Sequence, residues 1–70
     1  VSININVEAL LSEPFAQFDA TLRPEQKVSI VLEVPVVDAF ADMAAFAIAR
    51  DSVQRKGYRV CIDGLTTLSF

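Results

Sequence analysis

The sequence predicts an α/β fold in which parallel strands alternate with helices. Three short segments alternate apolar and polar residues with the period of two that is typical of strands. Two stretches with helical spacing of their apolar residues lie between them, which gives the order strand, helix, strand, helix, strand. This order favours parallel pairing through right-handed crossovers. About half of the 70 residues are apolar, which suits one small domain or a piece of one.

The three strands are predicted at residues 1–6, 28–34 and 58–63. The more apolar alternating sets are Val1, Ile3 and Ile5 in the first, Val28, Ile30, Leu32 and Val34 in the second, and Val60 and Ile62 in the third. Pro35 ends the second strand, because proline lacks the N–H group that a central ladder needs.

The first helix is predicted around residues 13–21, with Ser12 as its N-cap. Residues 23–27, "RPEQK", are interpreted as the loop that follows it. The second helix is predicted from Asp38, as N-cap, to Lys56, with Gly57 at the C′ position. Its middle, "MAAFAIA", is apolar on every side, and a three-stranded parallel sheet has uncovered edges. Both features indicate missing neighbours, either from a longer parent chain or from a second copy.

Composition narrows the classes of function. The net charge is −3 and acids and bases are interleaved, so nucleic acid is not expected as a partner. The longest uninterrupted apolar run, residues 43–49, is too short to span a membrane. The absence of His excludes His-based catalysis and His-ligated metals within these residues. The single cysteine, Cys61, is expected to be a small core residue in a cytosolic, reducing compartment.

Three oxygen-bearing side chains lie near the carboxyl ends of the predicted strands. Asn4, Glu33 and Asp63 each belong to the less apolar alternating set, so they are expected on one face of the sheet. Parallel α/β folds build their sites at this end of the strands. Amide and carboxylate oxygens suit a hard divalent cation such as Mg²⁺ or Mn²⁺. The alternative is that these side chains only bond to loop backbone at the strand ends.

Three stretches, "SININVEALLSEPF", "IVLEVPVVDAF" and "GYRVCIDGLTTLSF", together resemble the middle of an EAL domain. That family is a TIM barrel whose active form is a cyclic di-GMP phosphodiesterase. Its pattern runs from Asn-x-Ser with a following Leu, through Glu-x-x-Glu, to G-x-x-x-A-x-D-D-F-G. Asn4, Leu10, Glu33, Gly57 and Asp63 match this pattern in order and spacing. The resemblance implies that residues 1–70 are a partial TIM-barrel segment, a fragment of a single EAL-like domain, as the start at Val1 without a Met also suggests.

By this resemblance, Asn4, Glu33 and Asp63 fall on metal-ligand positions of the family. Three departures weaken the site. Val36 stands where the family has its second Glu, Gly64 stands where it has its second Asp, and Asn6 replaces the Ser. After Asp63 the family's loop also looks shortened, with Thr66, Thr67 and Leu68 in place of its Ser-Ser-Leu. A two-metal phosphodiesterase needs ions on both sides of the displacement. The three residues are therefore expected to form a vestigial site, with no cofactor beyond weakly held Mg²⁺ or Mn²⁺.

The resulting prediction is a degenerate, non-catalytic domain that acts as a regulatory or protein-interaction module in bacterial signalling. Two alternatives stay open: a cyclic di-GMP phosphodiesterase that uses one metal at the three residues, and a sensor that binds a cyclic dinucleotide without cutting it. An intact signature Glu and a downstream Lys in a longer parent would favour the enzyme. Self-association is also expected, with some of Phe40, Met43, Phe46 and Ile48 in the contact between copies, because one helix cannot direct all four at one sheet.

Overall fold

A parallel sheet lies at the centre of the computed structural model, which describes residues 1–64. Its strands within that range are β1 (Ser2–Asn4), β2 (Val31–Pro35) and β3 (Arg59–Asp63). They pair in the order β1-β2-β3, and both pairs are parallel, which confirms the predicted α/β class and strand direction. Residues 65–70, which include the Thr66, Thr67 and Leu68 of the family comparison, lie outside the described residues.

The connection from β1 to β2 contains three helical segments: α1 (Val7–Leu10), α2 (Glu13–Ala20) and α3 (Pro24–Lys27). Helix α2 agrees with the prediction, and the Phe15 N–H donates to Ser12 Oγ at its start over 3.4 Å. The interpretation of residues 23–27 as a loop is wrong. Pro24 opens a helical turn there, and the Arg23 N–H donates to Gln26 Oε1 over 2.8 Å.

The first two strands are shorter than predicted, because residues at their predicted ends belong to helix caps instead. Strand β1 stops at Asn4, since the Asn6 side chain caps α1 by accepting from the Ala9 N–H over 2.7 Å. Strand β2 starts only at Val31. Val28 instead closes α3, where its N–H donates to the Pro24 carbonyl, and its side chain is 52% exposed.

The connection from β2 to β3 contains two helices, α4 (Val36–Ala41) and α5 (Met43–Arg55), where one was predicted. The break falls at Asp42, whose φ of −148° and ψ of 89° are not helical. Its Oδ1 accepts from the Ala45 N–H over 3.0 Å, so Asp42 is the N-cap of α5. Asp38 is not an N-cap, because α4 already begins at Val36. Gly57 follows the helix with a φ of +108°, as predicted for the C′ position.

The helices cover one side of the sheet and share a single core with it. Leu32 and Val34 of β2 are fully buried there, against residues such as Phe46, Ala49 and Val53 of α5. The apolar residues in the first half of α5 therefore lie on two sides of the helix, one packed on the core and one exposed. Phe46 is buried, whereas Met43 and Ile48 are about two-thirds exposed. Within residues 1–64, none of the helices has the length and apolar character needed to cross a membrane.

The prediction that Cys61 is a core residue is wrong. Cys61 is exposed, because it alternates with Val60 and Ile62, which are the β3 residues that face the helices. The alternation in the sequence is correct, but it does not show that the helices within residues 1–64 pack on one side of the sheet only.

Candidate metal-binding face of the sheet

The sheet has two different faces. We call the side packed on the helices the covered face and the other side the open face. The covered face carries Ile3, Leu32, Val34, Val60 and Ile62. The open face carries Ser2, Asn4, Val31, Glu33, Arg59, Cys61 and Asp63. Asn4, Glu33 and Asp63 therefore lie on the same face, as the alternation predicted.

The strand register aligns two of the three candidate ligands and leaves the third further along the sheet. Asn4 is paired with Glu33 across β1 and β2. The β3 partner of Glu33 is Cys61, while Asp63 is paired with Pro35. Asp63 thus lies two residues beyond the row that Asn4, Glu33 and Cys61 form. Asn4 and Glu33 are thus a neighbouring pair of candidate oxygen ligands, and the third candidate, the carboxylate of Asp63, is displaced toward the carboxyl end of the sheet.

The donor atoms fit a hard divalent cation in kind but are few in number. Asn4 offers an amide oxygen, and Glu33 and Asp63 offer carboxylates, which are the ligand types that Mg²⁺ and Mn²⁺ prefer. Among residues 1–64, however, no cluster of three or more His, Cys, Asp or Glu side chains could hold a metal ion. Any ion at this face would keep several of its coordinating waters, because the open face carries only two acids, Glu33 and Asp63.

Val36 and Gly64, the two positions that the resemblance aligns with further acids of the EAL family, are neighbours in space. Val36 is the first residue of α4, directly after β2, and Gly64 directly follows β3. A Cβ atom built on Gly64 would lie 3.5 Å from Val36 Cγ1. Gly64 also has a φ of +87°, which an aspartate would adopt only with strain. This part of the sheet end thus carries a valine side chain and a glycine, neither of which offers a side-chain oxygen ligand.

One contact at this end of the sheet had no signal in the sequence. The Val7 N–H, at the start of α1, donates to Asp38 Oδ2 in the first turn of α4 over 2.6 Å. Together with the Asn6 cap, it satisfies donors at the N-terminus of α1. The bond ties the segment after β1 to the helix after β2, so it fixes the loops beside Asn4 and Glu33. A separation of 31 residues hides this pairing from local sequence patterns.

A charged cluster lies at the opposite end of the sheet, before β3, and does not belong to the candidate site. Asp19 of α2 contacts Tyr58, Lys27 and Lys56. Burial works against ionisation of Asp19, but the hydrogen bonds from Tyr58 and Lys27 and the charges of both lysines outweigh it and lower its pKa below 3.8. Burial is the larger cause and the hydrogen bond to Asp19 the smaller one that together raise the pKa of Tyr58 well above 10.0.

An apolar groove of about 300 Å³ lies beside β1. Its lining includes Ile3 and Ile5 from the first strand segment and Phe15 and Phe18 from α2. It contains none of the three candidate ligands, since Ile3 projects to the covered face and Asn4 to the open face.

We compared the chain with protein families, curated proteins and solved structures. No family model, curated protein or solved structure matches the chain.

Proposed function

We propose that the chain is an EAL-like segment of a TIM barrel that does not hydrolyse cyclic di-GMP and acts as a regulatory or protein-interaction module in bacterial signalling. Residues 1–64 form an α/β fold with three parallel strands, and the barrel is the further step that we propose. The barrel assignment is supported by the order and spacing of the residues that match the family's pattern, which are Asn4, Leu10, Glu33, Gly57 and Asp63. A cytosolic location accompanies the proposal, because an exposed free thiol such as Cys61 suits a reducing compartment.

The observation that supports the proposed lack of hydrolysis is the identity of the residues at positions 36 and 64, which lie close together at the end of the sheet. Two-metal hydrolysis requires one ion on the attacking oxygen and another on the leaving oxygen. The chain supplies an amide and two carboxylates on the open face, at Asn4, Glu33 and Asp63, which could serve one ion at most. Val36 and Gly64 supply no side-chain oxygen for a second ion at the two positions that the resemblance aligns with acids of the family.

The direct test is an assay of cyclic di-GMP hydrolysis by the 70-residue chain in Mg²⁺ and in Mn²⁺, with the linear dinucleotide product separated by chromatography. We expect no product above a buffer blank. A matched Glu33→Ala variant, checked for folding by circular dichroism, identifies any trace activity from a contaminating enzyme, because such activity would persist in the variant.

Two outcomes would overturn the proposal. Turnover that disappears in Glu33→Ala would assign a one-metal phosphodiesterase to Asn4, Glu33 and Asp63. Saturable binding of cyclic di-GMP without turnover, measured by calorimetry, would assign a nucleotide sensor instead. A folded chain that neither cuts nor binds the dinucleotide supports the interaction module.

A further inference from the structure

Strand β3 forms an edge of the sheet in residues 1–64, because it pairs with β2 alone. Arg59 and Asp63 stand at its two ends on the open face, and Cys61 lies midway between them. The charge order along the strand is therefore positive, neutral, negative. Neither Arg59 nor Asp63 forms an ion pair with another of the described residues. The strand thus has two unpaired charges of opposite sign, placed symmetrically about its central residue.

This charge order is complementary to itself when the strand is reversed. A two-fold axis through Cys61 would set Arg59 of each copy opposite Asp63 of the other. Opposite charges placed directly across an antiparallel pair are stabilising, and like charges are destabilising. Parallel pairing in register would instead set Arg59 against Arg59 and Asp63 against Asp63. The pattern therefore favours one direction of pairing.

The backbone of β3 is arranged for the same pairing. The Arg59 N–H donates to the Ile30 carbonyl on the β2 side over 3.2 Å. Because successive backbone groups alternate in direction, those of Cys61 and Asp63 also point to β2, and those of Val60 and Ile62 point to the free edge. In the antiparallel arrangement Val60 and Ile62 of opposite copies form the hydrogen-bonded pairs. Cys61 meets its own copy in a pair without hydrogen bonds, where side chains approach most closely.

The covered face also gains from the pairing. Val60 and Ile62 are only half-buried against the helices of their own chain. A second copy related by this axis would continue the sheet with its covered face on the same side. It would set Val60 beside Ile62 of the partner copy and shield both from water.

We propose that two copies of the chain associate through antiparallel pairing of their β3 strands about Cys61, which joins the two sheets into one of six strands. The Arg59–Asp63 pairs select the direction and register of this contact. Mixed sheets with one antiparallel pair among parallel strands are common, so the arrangement is an ordinary one. The inference does not rest on the proposed function and concerns the 70-residue chain, whose β3 edge is free within residues 1–64. In a closed barrel the same edge would pair with another strand.

Charge reversal tests the register. We expect Arg59→Asp and Asp63→Arg, each alone, to raise the dimer dissociation constant at least about tenfold, because each sets like charges together in both symmetry-related pairs. An equimolar mixture of the two variants should recover the association of the wild-type chain, since every pair in the mixed dimer is again of opposite charge. Sedimentation equilibrium at micromolar concentration measures all four samples. Gln17→Lys is the control, because it adds a charge at an exposed position of α2, in the connection between β1 and β2, and it should leave the association unchanged.

Three results would overturn the proposal: a monomeric wild-type chain, single variants that associate as strongly as the wild type, or a mixture that does not recover. Cys61 supplies an independent readout. Residues in such a pair have Cα atoms about 4.5 Å apart, within the range of about 4.4–6.8 Å that a disulfide spans. Diamide, which takes up the two hydrogen atoms released as two thiols join, should crosslink the wild-type chain and the mixture but neither single variant. Equal crosslinking in all four samples would contradict the proposed register.

Discussion

The hydroxyl of Tyr58 donates a hydrogen bond to Asp19 Oδ1 over 2.7 Å, between residues 39 positions apart in the chain. Tyr58 is almost fully buried at the start of β3, and Asp19 lies on α2. Lys27 Nζ approaches the same carboxylate oxygen to 3.0 Å. The cluster joins the first connection of the chain to the last strand, so it closes the fold at the amino end of the sheet.

Tyr58→Phe removes the hydroxyl and keeps the ring that packs on Phe15 at a centroid distance of 5.6 Å. We expect a loss of about 1–3 kcal/mol in the free energy of unfolding, because the lost bond has a charged acceptor in a sheltered position. Urea denaturation measures it. Thr21→Val is the control, since the Thr21 hydroxyl bonds to the Phe18 carbonyl at an exposed site and its loss should cost less. Equal effects of the two changes would show that the Tyr58 bond stabilises no more than a surface contact.

The pH dependence of stability should follow Asp19. Its pKa is lower in the folded chain than the ordinary value of 3.8, so its contribution is present above that value and is lost as the pH falls through the folded pKa. The difference in unfolding free energy between the wild type and Asp19→Asn should therefore be larger at about pH 6 than at about pH 3. Urea titrations at both values measure it. A constant difference would show that the charge of Asp19 is not stabilised by folding.

Asp42 separates α4 from α5, and its carboxylate caps α5. Asp42→Ala should cost about 1 kcal/mol of unfolding free energy, because the Ala45 N–H loses its acceptor. Asp42→Asn is the matched variant and should stay close to the wild type, since asparagine is an equally good N-cap. Chemical denaturation compares the three chains. An asparagine variant as weak as the alanine variant would mean that the charge, and not the cap, is what stabilises α5.

The alternation of the strands could be read from the sequence because it depends only on neighbouring residues. The same holds for the Ser12 cap and the Gly57 stop. The break at Asp42 has no clear signal in the sequence, because the apolar residues on both sides of it fit the single helix predicted from Asp38 to Lys56. The contact between Asp38 and Val7 was missed because it joins residues far apart in the chain.

The candidate site was predictable in part for the same reason. Alternation placed Asn4, Glu33 and Asp63 on one face, but the register that pairs Glu33 with Cys61 is a property of the assembled sheet. The approach of Gly64 to Val36 likewise depends on how the chain leaves β2 and β3. Sequence patterns specify the face of a side chain and leave its position along the neighbouring strand open.

Cys61 and Leu32 offer a test of which face is covered. Cys61→Ser should change the unfolding free energy by less than about 0.5 kcal/mol, as expected for an exposed site. Leu32→Ala, on the covered face and fully buried, should cost about 2–5 kcal/mol. Both are measured by urea denaturation on dilute samples, which keeps association between copies out of the comparison. A large loss in Cys61→Ser would place a packing element on the open face.

The most direct test of the proposed vestigial site is a calorimetric titration of the chain with Mg²⁺, Mn²⁺ and Ca²⁺. With only Asn4, Glu33 and Asp63 as ligands, and Asp63 displaced from the row of the other two, we predict no binding tighter than about the millimolar range. Asp63→Asn serves as the paired variant, because it removes a charge and keeps the shape of the side chain. Micromolar binding that is lost in Asp63→Asn would contradict the account, since it would mean that these three residues form an intact metal site.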